Sequence, residues 1–245
     1  MKKILLILLL FSISLFAQKI NIAIAANVSY AINDLIKEFN KTNPNTEVQV
    51  TLGSSGKLTA KISNGAPYDI FMSANMKFPE ALYEKNIAIT KPIVYAKGSL
   101  AIISSKNILL SKDLRFLKDK NIDKIAIANP KTAPYGKATL EALKNAKIYE
   151  DIKNKFVYGE SISQTVTYAI KAADLGFIAK SSLYSPKMKR FQNFIDVDAK
   201  LYTPISQGIV ILKNAKDNKE AKAFYDFILS SKAKKIFEDY GYILP

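Results

Sequence analysis

What most restricts this chain is a repeated alternation along its length. A short apolar run of strand length gives way to a turn of small polar residues, and then to a stretch with helical spacing. Four such turns stand out: Ala25-Ala26-Asn27-Val28-Ser29, Leu52-Gly53-Ser54-Ser55-Gly56, Lys131-Thr132-Ala133-Pro134-Tyr135-Gly136 and Glu160-Ser161-Ile162-Ser163-Gln164. Strand and helix in alternation favour parallel α/β sheets, with ligands held outside the carboxyl ends of the strands. A helix N-terminus leaves its first amides without intrahelical partners and carries the positive end of the dipole, so it is a ready anion site. Several such ends converging can hold a dehydrated anion on amide and hydroxyl dipoles, with no buried counter-charge.

The periodicities place the elements. Residues 20–26 read as a buried strand, and Val28, Ala31, Ile32, Leu35, Ile36 and Phe39 then form one apolar stripe at helical spacing. Strands are expected at 46–52, 69–72, 100–103, 124–128, 175–179, 194–197 and 205–212. Helices are expected at 54–64, 134–146, 161–173, 218–229 and 231–240. Pro44, Pro67 and Pro92 fall between elements. No Gly/Ser tether interrupts the pattern, so any passage between two lobes must run through ordered strands.

Composition removes whole classes of chemistry. With neither His nor Cys, zinc and copper sites, Ser-His-Asp triads, Cys nucleophiles and disulfides are all unavailable. No Asp-x-Asp-x-Asp-Gly run suggests a hard-cation loop. The formal charge of +15 raises nucleic acid as a partner, but it comes from scattered lysines, with Arg115 and Arg190 the only arginines. Base-edge and phosphate recognition favour Arg, so the charge reads as a solvated surface and no nucleic-acid partner is expected. At the N-terminus Lys2 and Lys3 precede an apolar run over 4–16, followed by Ala17-Gln18. That is the form of a secretory signal peptide over 1–17, cut near Ala17/Gln18, and it implies a periplasmic protein.

Each turn also has a purely structural role available. Asn27 stands where an N-cap belongs. Gly53-Ser54-Ser55-Gly56 adds two glycines that let a ligand approach and two hydroxyls that can donate, without the spacing of a nucleotide phosphate loop. Pro134 suits the first helical position and leaves the Tyr135 amide free. Ser161 with Gln164 forms a capping-box pattern that puts the Ile162 amide in the first turn.

At these same turns the chain resembles the periplasmic molybdate-binding proteins of ABC importers, which also bind tungstate. The resemblance runs in order over the mature chain: Ile22 to Ser29, Gly53-Ser54-Ser55-Gly56-Lys57, Asn64-Gly65-Ala66-Pro67-Tyr68-Asp69-Ile70-Phe71-Met72-Ser73-Ala74-Asn75, Asn129-Pro130 with Ala133-Pro134-Tyr135-Gly136, Gly159-Glu160-Ser161-Ile162-Ser163-Gln164, Leu175-Gly176-Phe177, and the terminal stretch Ala223 to Gly241. It implies an α/β, two-lobed periplasmic binding protein of type II fold, each lobe a mostly parallel sheet flanked by helices, with a hinge of two crossing strands. The implied division is lobe 1 at 18–95, lobe 2 at 96–203 and a return to lobe 1 at 204–245. It also implies a monomer without cofactor or enzymatic activity, which delivers its oxyanion to a membrane permease. By motif the oxyanion donors map onto Asn27, Ser55, Tyr135 and Ile162, with Ser54, Ser29 and Ser161 as further hydroxyls. One branch of the family carries a tyrosine donor where this chain has Ala179, which leaves a fifth donor unassigned.

Two other functions share these residues. The same fold could hold sulfate, phosphate or a small organic anion, because function lives in the site. Ser54-Ser55-Gly56-Lys57, Ser73-Ala74-Asn75 and Lys131-Thr132-Ala133 also approach the three elements of penicillin-recognising serine enzymes. Against that reading, the third element lacks its Gly and Gly56 interrupts the turn that should align Ser54 with Lys57.

Overall fold

Short apolar runs supply the strands: β1 (Gln18–Ala25), β2 (Thr46–Gly53), β3 (Ile70–Met72), β4 (Ile93–Gly98), β5 (Leu100–Ile103), β6 (Ile125–Ala128), β7 (Phe156–Gly159), β8 (Leu175–Ala179), β9 (Phe194–Asp196) and β10 (Ile205–Ile211). Between them lie helices α1 (Ile32–Asn40), α2 (Ser55–Ser63), α3 (Lys77–Glu84), α4 (Pro134–Asn145), α5 (Tyr149–Ile152), α6 (Ile162–Lys171), α7 (Lys219–Leu229) and α8 (Ser231–Asp239). The structure is a computed structural model and describes residues 18–245; the expected signal peptide at 1–17 lies outside the described residues.

The strands form two five-stranded sheets, ordered β2-β1-β3-β10-β4 and β7-β6-β8-β5-β9. In the first, β1 runs parallel to β2 and β3, while β10 is antiparallel to β3 and β4. In the second, β6 runs parallel to β7 and β8, while β5 is antiparallel to β8 and β9. Each sheet therefore has a single reversed strand beside its last one. In each, the reversed strand is the first that the chain forms after arriving from the other sheet. The chain leaves the first sheet at Ser99, between β4 and β5, and returns between β9 and β10. Two ordered crossings, not a flexible tether, connect two mostly parallel lobes.

The two-residue period of the strands sorts their side chains onto opposite faces. On the first sheet Ile20, Ile22 and Ile24 pack with Leu35, Phe39, Phe224 and Phe237 from α1, α7 and α8. Its other face sets Ala23 and Phe71 against Leu58, Ile62 and Leu82 from α2 and α3. In the second sheet Leu100, Ile102, Ile125, Ile127 and Phe177 lie under α4, while Ala101, Ile103, Ala126 and Ile178 lie under α6. Small residues in β1 and β6 let α2 and α6 approach closely, which brings helix starts to the strand ends where a ligand would sit.

Four elements depart from the sequence pattern. β4 and β7 are not marked by apolar alternation: β4 ends in Ala-Lys-Gly, and the edge strand β7 is only partly buried. α3 interrupts its stripe with Pro79, which the first helical turn accommodates because its amide position needs no intrahelical acceptor. The first helix starts with a 3₁₀ turn over Ala26–Tyr30 before α1 begins. Asn27 lies inside that turn, so it is not the N-cap expected from its position.

Phe39 is fully buried, with its ring edge-on to Phe224 at 5.0 Å and 5.6 Å from Phe227. Phe39→Ala should lower stability by about 3–5 kcal/mol, read as a lower urea midpoint with an unchanged slope.

Candidate anion-binding site

Five strand ends and the turns after them meet at one point between the lobes. From the first lobe β1 delivers Ala25, Ala26 and Asn27, β2 delivers Gly53, Ser54 and Ser55, and β3 is followed by Ala74. From the second lobe come Ala133, Pro134 and Tyr135 after β6, and Ile162 after β7. These residues line a half-open recess with ≈ 10 Å³ of room for the centre of a water-sized sphere. That is below the roughly 300–1,000 Å³ of pockets for drug-sized ligands, so the cavity suits a small ion. None of its lining residues is charged.

Three helices start at this cavity. Ser55 and Ile162 are the first residues of α2 and α6, and Tyr135 is the second of α4, behind Pro134. Amides at these positions have no intrahelical acceptor. The two N-cap serines then behave differently. Ser161 caps α6 in the expected way, its Oγ accepting from the Gln164 amide at 3.3 Å. Ser54 makes no side-chain cap bond. Its hydroxyl is buried without a partner, and Ser54 lines the cavity. The neighbouring Ser55 Oγ accepts the Ala74 amide at 2.9 Å, which ties α2 to the end of β3.

Asn27 is fully buried. Its Nδ2 donates to Gln207 Oε1 at 2.7 Å and to the Tyr242 hydroxyl at 2.9 Å, and its Oδ1 has no partner. Its backbone carbonyl accepts from the hydroxyls of Ser181 (3.0 Å) and Tyr242 (2.9 Å). The Ser181 bond crosses from lobe to lobe. Two further contacts clasp the lobes beside the cavity. The Gly56 amide donates to the Thr132 carbonyl at 2.9 Å, and Lys57 forms an ion pair with Glu160. A Cβ on Gly56 would lie 3.0 Å from the Thr132 backbone, so glycine is needed for this approach. Lys57 faces Glu160 and not Ser54, so the Ser-x-x-Lys pairing of a serine enzyme is not formed.

The cavity thus brings together Asn27, Ser54, Ser55, Tyr135 and Ile162 from the sequence expectations. It leaves out Ser29, Ser161 and Ala179. Sequence reasoning missed the apolar wall of Ala25, Ala26, Ala74 and Ala133, and the supporting residues Gln207, Tyr242 and Ser181. Gln207 had one legible signal, a long polar side chain inside the apolar run of β10, and the structure buries it fully. Among the described residues no group of three or more His, Cys, Asp or Glu side chains is placed to hold a metal ion.

A small, uncharged cleft between two lobes of mostly parallel sheet is the architecture of a solute-binding protein. The chain belongs to the bacterial extracellular solute-binding protein family, whose model matches residues 20–243. It is 34% identical to the molybdate-binding protein ModA of Azotobacter vinelandii over 228 residues, 92% of this chain and 90% of that one. The corresponding figures for ModA of Rhodobacter capsulatus are 33% over 223 residues, 90% and 86%. The solved periplasmic molybdate-binding protein of A. vinelandii superposes with a TM-score of 0.86 at 31% identity, covering 92% of this chain and 99% of that chain. These relatives are solute-binding proteins, and the chain is not an enzyme.

Burial raises the phenols around Asn27. The Tyr242 phenol is pushed up to about 12, and those of Tyr135 and Tyr95 well above their usual 10. The folded state holds these protons more tightly than the unfolded chain. Their contribution to stability is therefore complete below about pH 10 and is lost as pH rises through the folded values. The unfolding free energy from urea titration should fall by about 2 kcal/mol between pH 10 and 12 from Tyr242 alone. A midpoint unchanged across that range would contradict the buried-phenol account.

Proposed function

We propose that this chain captures molybdate, and tungstate with it, in the cavity between its lobes and delivers it to an ABC-type permease. The observation that carries this reading is the unpartnered Ser54 hydroxyl, aimed with three first-turn amides into a small cavity without charge. A fully deprotonated tetrahedral dianion offers only acceptors, and this set offers it donors from both lobes. The donors proposed are Ser54 Oγ with the amides of Ser55, Tyr135 and Ile162, and the side chain of Asn27. A protonated phosphate would bring a donor of its own to a wall of donors and methyl groups, where it finds no acceptor. Sulfate, being smaller, would leave its contacts long.

The proposed lobes are 18–95 with 204–245, against 96–203. Sheet membership agrees with this division except that β4 carries 96–98 into the first sheet, so the first crossing falls at Ser99. Closure about the two crossings would bring the Tyr135 and Ile162 amides onto an anion already held by the first lobe. The signal-peptide pattern expected at 1–17 and the extracellular character of the family support a periplasmic place of work. The proposed unit is a monomer.

Isothermal titration with molybdate, tungstate, sulfate and phosphate tests the function. Tight one-to-one binding of the first two alone is expected, and binding of only sulfate or phosphate would overturn the ligand. Ser54→Ala removes a bond to a charged ligand and should weaken molybdate binding roughly ten- to a hundred-fold. Ser55→Ala should cost less affinity, because its hydroxyl oxygen is engaged by Ala74. Unchanged affinity in both Ser54→Ala and Asn27→Ala would rule out this site.

A further inference from the structure

Three buried polar atoms beside the cavity lack partners: Asn27 Oδ1, Gln207 Nε2 and the Tyr135 hydroxyl. They belong to side chains that touch in series. Asn27 Nδ2 donates to Gln207 Oε1 at 2.7 Å, and the Tyr95 hydroxyl donates to the same oxygen at 3.0 Å. At its far end Gln207 meets the Tyr135 hydroxyl over the backbone of Gly98. A Cβ on Gly98 would come 2.0 Å from that hydroxyl and 2.9 Å from Gln207 Nε2, so only glycine leaves them room. Buried polar atoms are nearly always paired, and three orphans in one chain of contacts call for a common cause.

The two ends of a carboxamide have nearly the same shape, and only hydrogen bonding distinguishes them. A half-turn of both carboxamides puts Gln207 Oε1 beside the Tyr135 hydroxyl, which donates to it. Gln207 Nε2 then donates to Asn27 Oδ1 and to the Tyr95 oxygen. Asn27 Oδ1, now where its nitrogen stood, accepts from Tyr242 once that single hydroxyl proton leaves the Asn27 carbonyl, which keeps its bond from Ser181. Each of the three orphans gains a partner, and two donors are left over: the Tyr95 hydroxyl proton, which loses the Gln207 oxygen it was given to, and the Asn27 amide group, now at the end where its unpartnered oxygen stood. Turning only Asn27 would set oxygen against oxygen at the 2.7 Å contact; turning only Gln207 would set nitrogen against nitrogen. The two must turn together.

We propose that Gln207, which does not line the cavity, is the positioning residue that aims Asn27, and that both carboxamides stand turned in the anion-loaded protein. This rests on reading the cavity as a molybdate site. An acceptor-only anion interacts differently with the two arrangements, so its binding selects the one that offers Asn27 Nδ2. Tyr135 then acts twice. Its amide meets the anion from the second lobe, and its phenol fixes the carboxamide that aims Asn27 from the first. The loop from anion through Asn27, Gln207 and Tyr135 back to the anion passes through the hinge at Gly98, so loading the site and setting the hinge become one event.

The readout is the Asn27 side-chain amide pair in ¹H–¹⁵N spectra, identified by its loss in Asn27→Ser and followed as sodium molybdate is added. In the wild-type protein the pair should shift as the site fills. Gln207→Glu presents only acceptors to Asn27, keeps Nδ2 turned away, and should bind molybdate at least tenfold more weakly with the pair unmoved. Gln207→Met offers neither end and should lose less than Gln207→Glu. A wild-type Asn27 pair that stays still at saturating molybdate, or wild-type affinity in Gln207→Glu, overturns the relay and leaves the molybdate reading standing. Wild-type protein that binds no molybdate overturns both.

Discussion

Backbone amides at the starts of three helices must meet at one point if an anion is to be held without a counter-charge, and much of this architecture follows from that constraint. A single helix end gives too little; three give several donors from rigid elements whose directions are set by packing. Parallel strands deliver such ends on one edge of each sheet, since every β-to-α turn opens at the carboxyl side. Two sheets facing each other edge to edge then supply donors from both sides. Alanines at Ala25, Ala26, Ala74 and Ala133 keep the wall thin enough for the backbone itself to reach the ligand.

The reversed strands β5 and β10 serve the same end. Each belongs to one lobe but is fed by a crossing from the other, so the lobes share a hinge made of ordered strands. Gly98, at the end of β4, is where this hinge meets the site, because the Tyr135 phenol and Gln207 lie directly over it. The lobes touch through few polar contacts, the Gly56–Thr132 and Ser181–Asn27 bonds and the exposed Lys57–Glu160 pair. An exposed pair of that kind contributes little, which suits a cleft that must open to load and release.

Much of the fold was legible in the sequence because strong periodicity and helix-start chemistry coincide at 20–39, 46–63, 125–145 and 161–179. What stayed hidden had weak local signals. β7 is a half-exposed edge strand, and β4 ends in lysine and glycine; only pairing across the sheet makes them strands. In the site, the turns were legible but the choice between adjacent serines was not. Which of Ser54 and Ser55 presents a free hydroxyl depends on Ala74, a residue from another strand. Asn27 looked like a cap because position alone suggested one. Its buried bonds to Gln207 and Tyr242 come from the far end of the chain, beyond the reach of any local pattern.

The most direct test of this account is a crystal structure of the molybdate-soaked protein, with the metal located by its anomalous scattering. The account places molybdenum between the lobes, its oxygens within hydrogen-bond distance of Ser54 Oγ and the amides of Ser55, Tyr135 and Ile162. Molybdenum found elsewhere, or held in the cleft by lysines in place of these neutral donors, would contradict it.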